Sequence, residues 1–145
     1  MPESTDRTCF LFSENFNCAQ AVFAAFAGKY GLDEKTALKI ASAFGGGLRM
    51  GDVCGAVSGA AMVIGLKYGQ TVGVDTTTKA DCYSRTEEFI RLFRAANGSH
   101  ICKEILGCDL GTPEGKASFN DRGMVKYICT KIVASAAEIL ESKGY

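Results

Sequence analysis

The sequence predicts an all-α fold: a single domain over residues 1–145, built as a bundle of five to seven helices around a buried central helix rich in glycine and alanine. Three observations carry that reading. Apolar residues recur at spacings of three and four along most of the chain, no segment sustains period-two alternation, and glycines or small polar residues punctuate the places where helices would begin and end. A chain of 145 residues buries about two thirds of its unfolded surface in one core, so neither a disulfide nor a metal is needed for folding.

The elements follow in order. Asn17 is a good N-cap for a helix that carries Cys18, Ala21, Val22, Ala25 and Phe26 on one face and ends at Gly31. Asp33 caps the next, through Ala37, Leu38, Ala41 and Phe44, which stops at Gly45-Gly46-Gly47. The longest apolar run, Val53 to Leu66, is broken only by Ser58; it predicts the central helix from about Asp52 to Leu66. A long helix from about Thr76 to Ala96 buries Phe89, Ile90 and Phe93, and Ser99 caps a short one in which Ile101, Cys102, Ile105 and Leu106 share a face before Gly107. The stretch from Gly111 to Gly123, with Pro113 inside it, reads as the longest loop. In the last helix Val125, Ile128, Cys129, Ile132, Val133, Ala136, Ala137 and Leu140 form one stripe. Gly51, Gly55 and Gly59 lie four apart and make a ridge without side chains, suited to tight packing in the core or across a homodimer.

Composition removes several functions. Sixteen basic and sixteen acidic side chains cancel, and no basic run tracks a phosphate backbone, so nucleic-acid binding is not expected. The polar start Met1 to Arg7 lacks the features of a signal peptide, and the Val53–Leu66 run falls short of the about 20 residues that cross a bilayer. A cytoplasmic protein without membrane insertion is expected. Seven cysteines cannot all pair within one chain, and cytosolic thiols are kept reduced, which disfavours a structural disulfide framework.

The chemistry therefore rests on free thiols. No Cys-x-x-Cys occurs, which excludes a thioredoxin-like dithiol, a zinc ribbon and covalent haem attachment, so any site is assembled from cysteines distant in sequence. Cys18, Cys54 and Cys102 share a position: each sits at an expected helix start, where unpaired N–H groups and the helix dipole favour a thiolate. Such a setting can bring a thiol from about 8.5 to roughly 3.5–7.5, and Cys54, leaving a glycine-rich turn, is expected to be the most acidic. Cys129 faces the same core from the last stripe. For any one cysteine taken alone the competing role is a small buried hydrophobe. His100, the only histidine, is two residues from Cys102 and so points to another helix face, and Gly45-Gly46-Gly47 is not followed by the Lys-Ser/Thr of a phosphate loop.

The runs Asn17-Cys18-Ala19-Gln20-Ala21-Val22, Phe44-Gly45-Gly46-Gly47, Cys54-Gly55-Ala56-Val57-Ser58-Gly59 and Gly65-Leu66-Lys67-Tyr68-Gly69, followed by Cys102 and Cys129, resemble the C_GCAxxG_C_C family of redox-active proteins over nearly the whole chain. The resemblance implies that the four family cysteines are Cys18, Cys54, Cys102 and Cys129, while Cys9, Cys82 and Cys108 fall outside the pattern. A related helical segment occurs in split-Soret cytochromes c with a proposed iron–sulfur role, but the haem chemistry of those proteins is not implied here.

Three functions remain open. The four cysteines can ligate an iron–sulfur cluster for electron transfer, or zinc in a structural role. Alternatively no metal is bound, and Cys54 attacks while Cys18, Cys102 or Cys129 resolves a disulfide, with Cys54 and Cys18 as the catalytic candidates. Third, the chain is a non-catalytic helical dimer module with structural cysteines. The redox partner is unknown in each case.

Overall fold

Helix α2, Cys18–Ala27, is the hub, and its composition says why: seven of its ten residues are buried, all of them alanine, valine or phenylalanine, on faces turned to its neighbours. The computed structural model describes residues 3–145, with the backbone alone at Lys126. Among the described residues there are eight α-helices and no strand. The others are α1 (Glu3–Ser13), α3 (Glu34–Ala41), α4 (Gly55–Tyr68), α5 (Thr76–Asn97), α6 (Cys102–Leu106), α7 (Pro113–Asp121) and α8 (Thr130–Ser142). The all-α expectation holds, and α4 is the buried glycine- and alanine-rich helix foreseen, with Ala56, Val57, Ala60, Val63 and Ile64 inside. No helix is long and apolar enough to cross a membrane.

Helix α4 packs along α2, with α1 and α3 on the other sides of α2 and α8 closing against α1, α4 and α5. The close approach of α2 and α4 depends on the glycine ridge. A Cβ on Gly59 would stand 2.7 Å from the carbonyl oxygen of Ala19, and one on Gly55 would stand 3.1 Å from the nitrogen of Ala19 and 3.3 Å from Cys18 Cβ. Gly55 and Gly59 are thus used within the chain and draw the start of α4 onto the start of α2, whereas Gly51 lies before α4, left-handed and against Asp109, and is not part of the ridge.

Two helices depart from the sequence reading. Helix α1 has no apolar stripe because three of its four buried residues, Ser4, Thr5 and Thr8, are polar. The Thr8 hydroxyl donates to the Ser4 carbonyl at 2.8 Å, and Thr5 donates to Glu141 Oε1 from its amide at 2.8 Å and its hydroxyl at 3.5 Å. Helix α7 replaces most of the expected 111–123 loop. Thr112 Oγ1 accepts from the Gly115 amide at 3.0 Å and Pro113 opens the first turn, a cap-plus-proline start.

Candidate functional site: a four-cysteine pocket

Each of the four cysteines is placed by a different local device. Cys18 opens α2 behind Asn17, whose side chain accepts from the Gln20 amide at 2.9 Å while Gln20 Oε1 accepts from the Asn17 amide at 3.0 Å. This reciprocal capping box is tied to the end of α3, since Asn17 Nδ2 donates to the Ser42 carbonyl at 3.0 Å. Cys54 is itself the N-cap residue of α4, which begins at Gly55, about three residues later than expected, so the thiol precedes the first turn instead of lying within it. Cys102 is the first residue of α6, behind Ile101; Ser99 is two residues before that cap, and its hydroxyl accepts from the Ile101 amide at 3.0 Å and donates to Glu104 Oε1 at 2.6 Å. Cys129 ends a π-type turn, Val125–Cys129, in which the Thr130 amide reaches the Val125 carbonyl; this extra residue in the turn re-aims the last helix.

A β-bridge joins two of these devices. Val53 pairs antiparallel with Ile101, the Cys54 amide donates to the His100 carbonyl at 2.8 Å, and the Cys102 amide donates to the Asp52 carbonyl at 2.6 Å. Cys54 and Cys102 are thereby fixed side by side although 48 positions separate them in sequence. Before the bridge the chain turns left-handed at four successive residues, Gly46, Gly47, Leu48 and Arg49, with φ between 58° and 64°. Leu48 and Arg49 each hold a conformation that costs a non-glycine residue roughly 1–2 kcal/mol.

The result is one pocket of about 300 Å³ lined by Cys18, Cys54, Cys102 and Cys129. Phe12, Phe16, Leu106, Leu110, Phe119 and Ile132 supply apolar walls; Asn15, Asn17, Ser42 and Arg49 supply the polar groups. Cys9 and Cys82 are not among the lining residues. Cys108 is not either, but it lies just behind: it packs in the same cluster as Cys102 and Cys129, with its sulfur 3.7 Å from Met124 Sδ. Among the residues outside the family pattern it is the one that adjoins the site, and sequence spacing gave only its separation of six from Cys102 as a hint.

Ionisation does not follow the expected order. Burial pushes the Cys54 thiol up to about 11, against an opposing pull from the Ala56 and Val57 amides. The helix-start effect is present, but desolvation is larger, so Cys54 is not the acidic thiol that its position suggested. Burial likewise raises Cys102 to about 12, reinforced by Cys54, Cys129 and Cys108 and partly offset by Arg49. Cys18 and Cys129 shift each other: their mutual interaction holds Cys129 below the ordinary thiol value and, with burial, holds Cys18 well above it.

The donor set is all sulfur, which suits soft metals. Among the described residues, however, no three histidine, cysteine, aspartate or glutamate side chains gather closely enough to hold one ion. The sulfurs are arranged around a cavity, not around a point.

The fold and site together define a helical protein with a cysteine-lined pocket. The chain matches, over residues 16–143, the family described as "Putative redox-active protein (C_GCAxxG_C_C)", and it belongs to that family. No curated protein and no solved structure matches it.

Proposed function

We propose that the protein carries out thiol–disulfide redox chemistry at this pocket, with Cys129 as the attacking thiolate and Cys18 as the resolving thiol. The placement of Cys18 and Cys129 on one cysteine-lined pocket, where each moves the other's ionisation, carries the reading, because it offers an attacking and a resolving thiol together. Reduction of a disulfide RSSR balances as follows. Cys129 thiolate attacks one sulfur, forming a mixed disulfide and releasing RS⁻, which takes the Cys18 proton. Cys18 thiolate then attacks Cys129 sulfur, forming the Cys18–Cys129 disulfide and releasing a second RS⁻, protonated by solvent. Cys54, the attacking residue expected from position alone, is held protonated beside the pair, and Cys102 with it.

A second reading is favoured by one observation, the convergence of all four cysteines on a cavity of about 300 Å³. Cys18, Cys54, Cys102 and Cys129 would hold an iron–sulfur cluster, which supplies one-electron transfer when bound. The chain's own contribution would be three helix starts aimed at the sulfurs, apolar walls that exclude water, and Arg49 to offset negative charge. The open cavity suits a cluster better than a single tetrahedral zinc.

Anaerobic purification followed by iron and sulfide analysis, then disulfide mapping after treatment with a mild disulfide oxidant, tests both. A Cys18–Cys129 cross-link that reduces reversibly, without stoichiometric iron, is expected. Equal iron and sulfide, lost in each of the four Cys→Ser variants, would replace the first reading with the second; free Cys18 and Cys129 after oxidation would refute it outright.

A further inference from the structure

The thiol chemistry proposed above leaves the oxidant unnamed, and the mouth of the pocket narrows its class. Among the described residues Arg49 is the only lining residue that carries a formal charge, and no aspartate or glutamate lines the pocket. Among the described residues Arg49 takes part in no ion pair. Its guanidinium folds back over the glycine turn, where a Cβ on Gly46 would stand 2.8 Å from Arg49 Nη1. Its backbone is left-handed, φ 62°, a conformation arginine rarely adopts, directly after Leu48 in the same strained region. Strain of this kind persists where surrounding structure imposes it and gathers at ligand-binding sites. An exposed guanidinium without an ion pair among the described residues, at the rim of an apolar, sulfur-lined cavity, is a fork for a planar oxyanion, with Asn15 and Ser42 as neutral polar groups of the same lining. The cavity of about 300 Å³ has the volume of about ten waters, so the ligand is small.

We propose that Arg49 binds the carboxylate of a low-molecular-weight disulfide and so selects carboxylate-bearing disulfides as the oxidants of the Cys18–Cys129 pair. This rests on the thiol–disulfide reading. The carboxylate pairs with the guanidinium at the mouth while the disulfide enters the cavity; Cys129 thiolate breaks the ligand's S–S bond and Cys18 completes the exchange, so the ligand leaves as two thiols and the pair is oxidised by two electrons.

The test uses reduced, chelator-treated full-length protein and follows Cys18–Cys129 disulfide formation by quenched alkylation and mass mapping. The probes are cystine, cystine dimethyl ester, which lacks the carboxylates, and neutral bis(2-hydroxyethyl) disulfide. Wild type is expected to react with cystine about five- to tenfold faster than the intrinsic reactivity of each reagent toward a free thiol predicts, and the ester is not so favoured. Arg49→Gln removes the cystine preference, read as the cystine rate divided by the rate with the neutral reagent; Arg49→Lys retains part of it. Because the preference is a ratio of reagents, any general effect of Arg49 on thiol ionisation cancels. Equal relative rates for cystine and its ester in wild type overturn the role of Arg49 while leaving the redox pair standing, and they do so whether or not the variant folds. Absence of the Cys18–Cys129 disulfide with every reagent overturns both.

Discussion

Replacing Gly59 with alanine adds a Cβ 2.7 Å from the Ala19 carbonyl oxygen and 3.2 Å from Ala19 Cα, and neither atom is the movable end of a side chain. Helices α2 and α4 must separate, and overpacking of this kind costs about 1–3 kcal/mol. Against it stands the intrinsic preference of a helix interior for alanine over glycine, about 0.8–1.0 kcal/mol. The net expectation is a loss of roughly 0.5–2 kcal/mol. Gly65 in the same helix is the control, since a Cβ there meets nothing within 4 Å. Gly65→Ala keeps the propensity gain without the clash and is expected to stabilise by about 0.5–1 kcal/mol. For a chain of this size each kcal/mol shifts Tm by about 2–4 °C, so the two variants should move in opposite directions by amounts that calorimetry resolves. Urea unfolding of the reduced protein gives the same comparison from the midpoint. If Gly59→Ala is as stable as Gly65→Ala, the two helices do not meet along this ridge, and the placement of Cys54 beside Cys18 loses its cause.

Three further outcomes are expected. Stability of the reduced, metal-free protein should fall as pH rises from about 9 toward about 12, because Cys54, Cys102 and Cys18 keep their protons longer folded than unfolded, and this outweighs the opposite sign at Cys129; a urea midpoint as high at about pH 10.5 as at about pH 8 refutes the shifts. Asn17→Ala removes the capping box and the link to Ser42, and should cost about 0.5–2 kcal/mol in chemical unfolding, with Asn17→Asp recovering the cap but not the donor to Ser42. Leu48→Gly relieves a left-handed leucine whose side chain is 51 % exposed, and should raise stability by up to about 1 kcal/mol despite the added chain entropy; a fall in Tm would mean that Leu48 is held by contacts worth more than the strain.

The parts of the site legible in the sequence are those specified by neighbours in the chain. Asn17 and Gln20 announce the start of α2, and with it the position of Cys18, because a capping box needs only four consecutive residues. The run from Val53 to Leu66 announces a buried helix because its small apolar side chains leave no polar face. Pro113 after Thr112 announced α7 equally well, but the surrounding glycines masked it; the outcome was decided by the cap, which satisfies a backbone amide that a loop would leave to solvent.

What sequence left hidden is the part that depends on distance. The Val53–Ile101 bridge is a single pair 48 residues apart and leaves no periodic trace. Glycines at 45–47 foretell an unusual turn, but nothing in leucine or arginine foretells that Leu48 and Arg49 continue it left-handed, since their own preference is the opposite. The acidity of Cys54 fails for a related reason. A helix start is a local property and can be read from spacing, whereas desolvation is set by every element that covers the sulfur, and here α2, α4 and the bridge cover it together. The same reasoning applies to Cys129: only the folded chain brings it to the pocket that Cys18 lines, and there their interaction holds the Cys129 thiol below its ordinary value against the effect of burial.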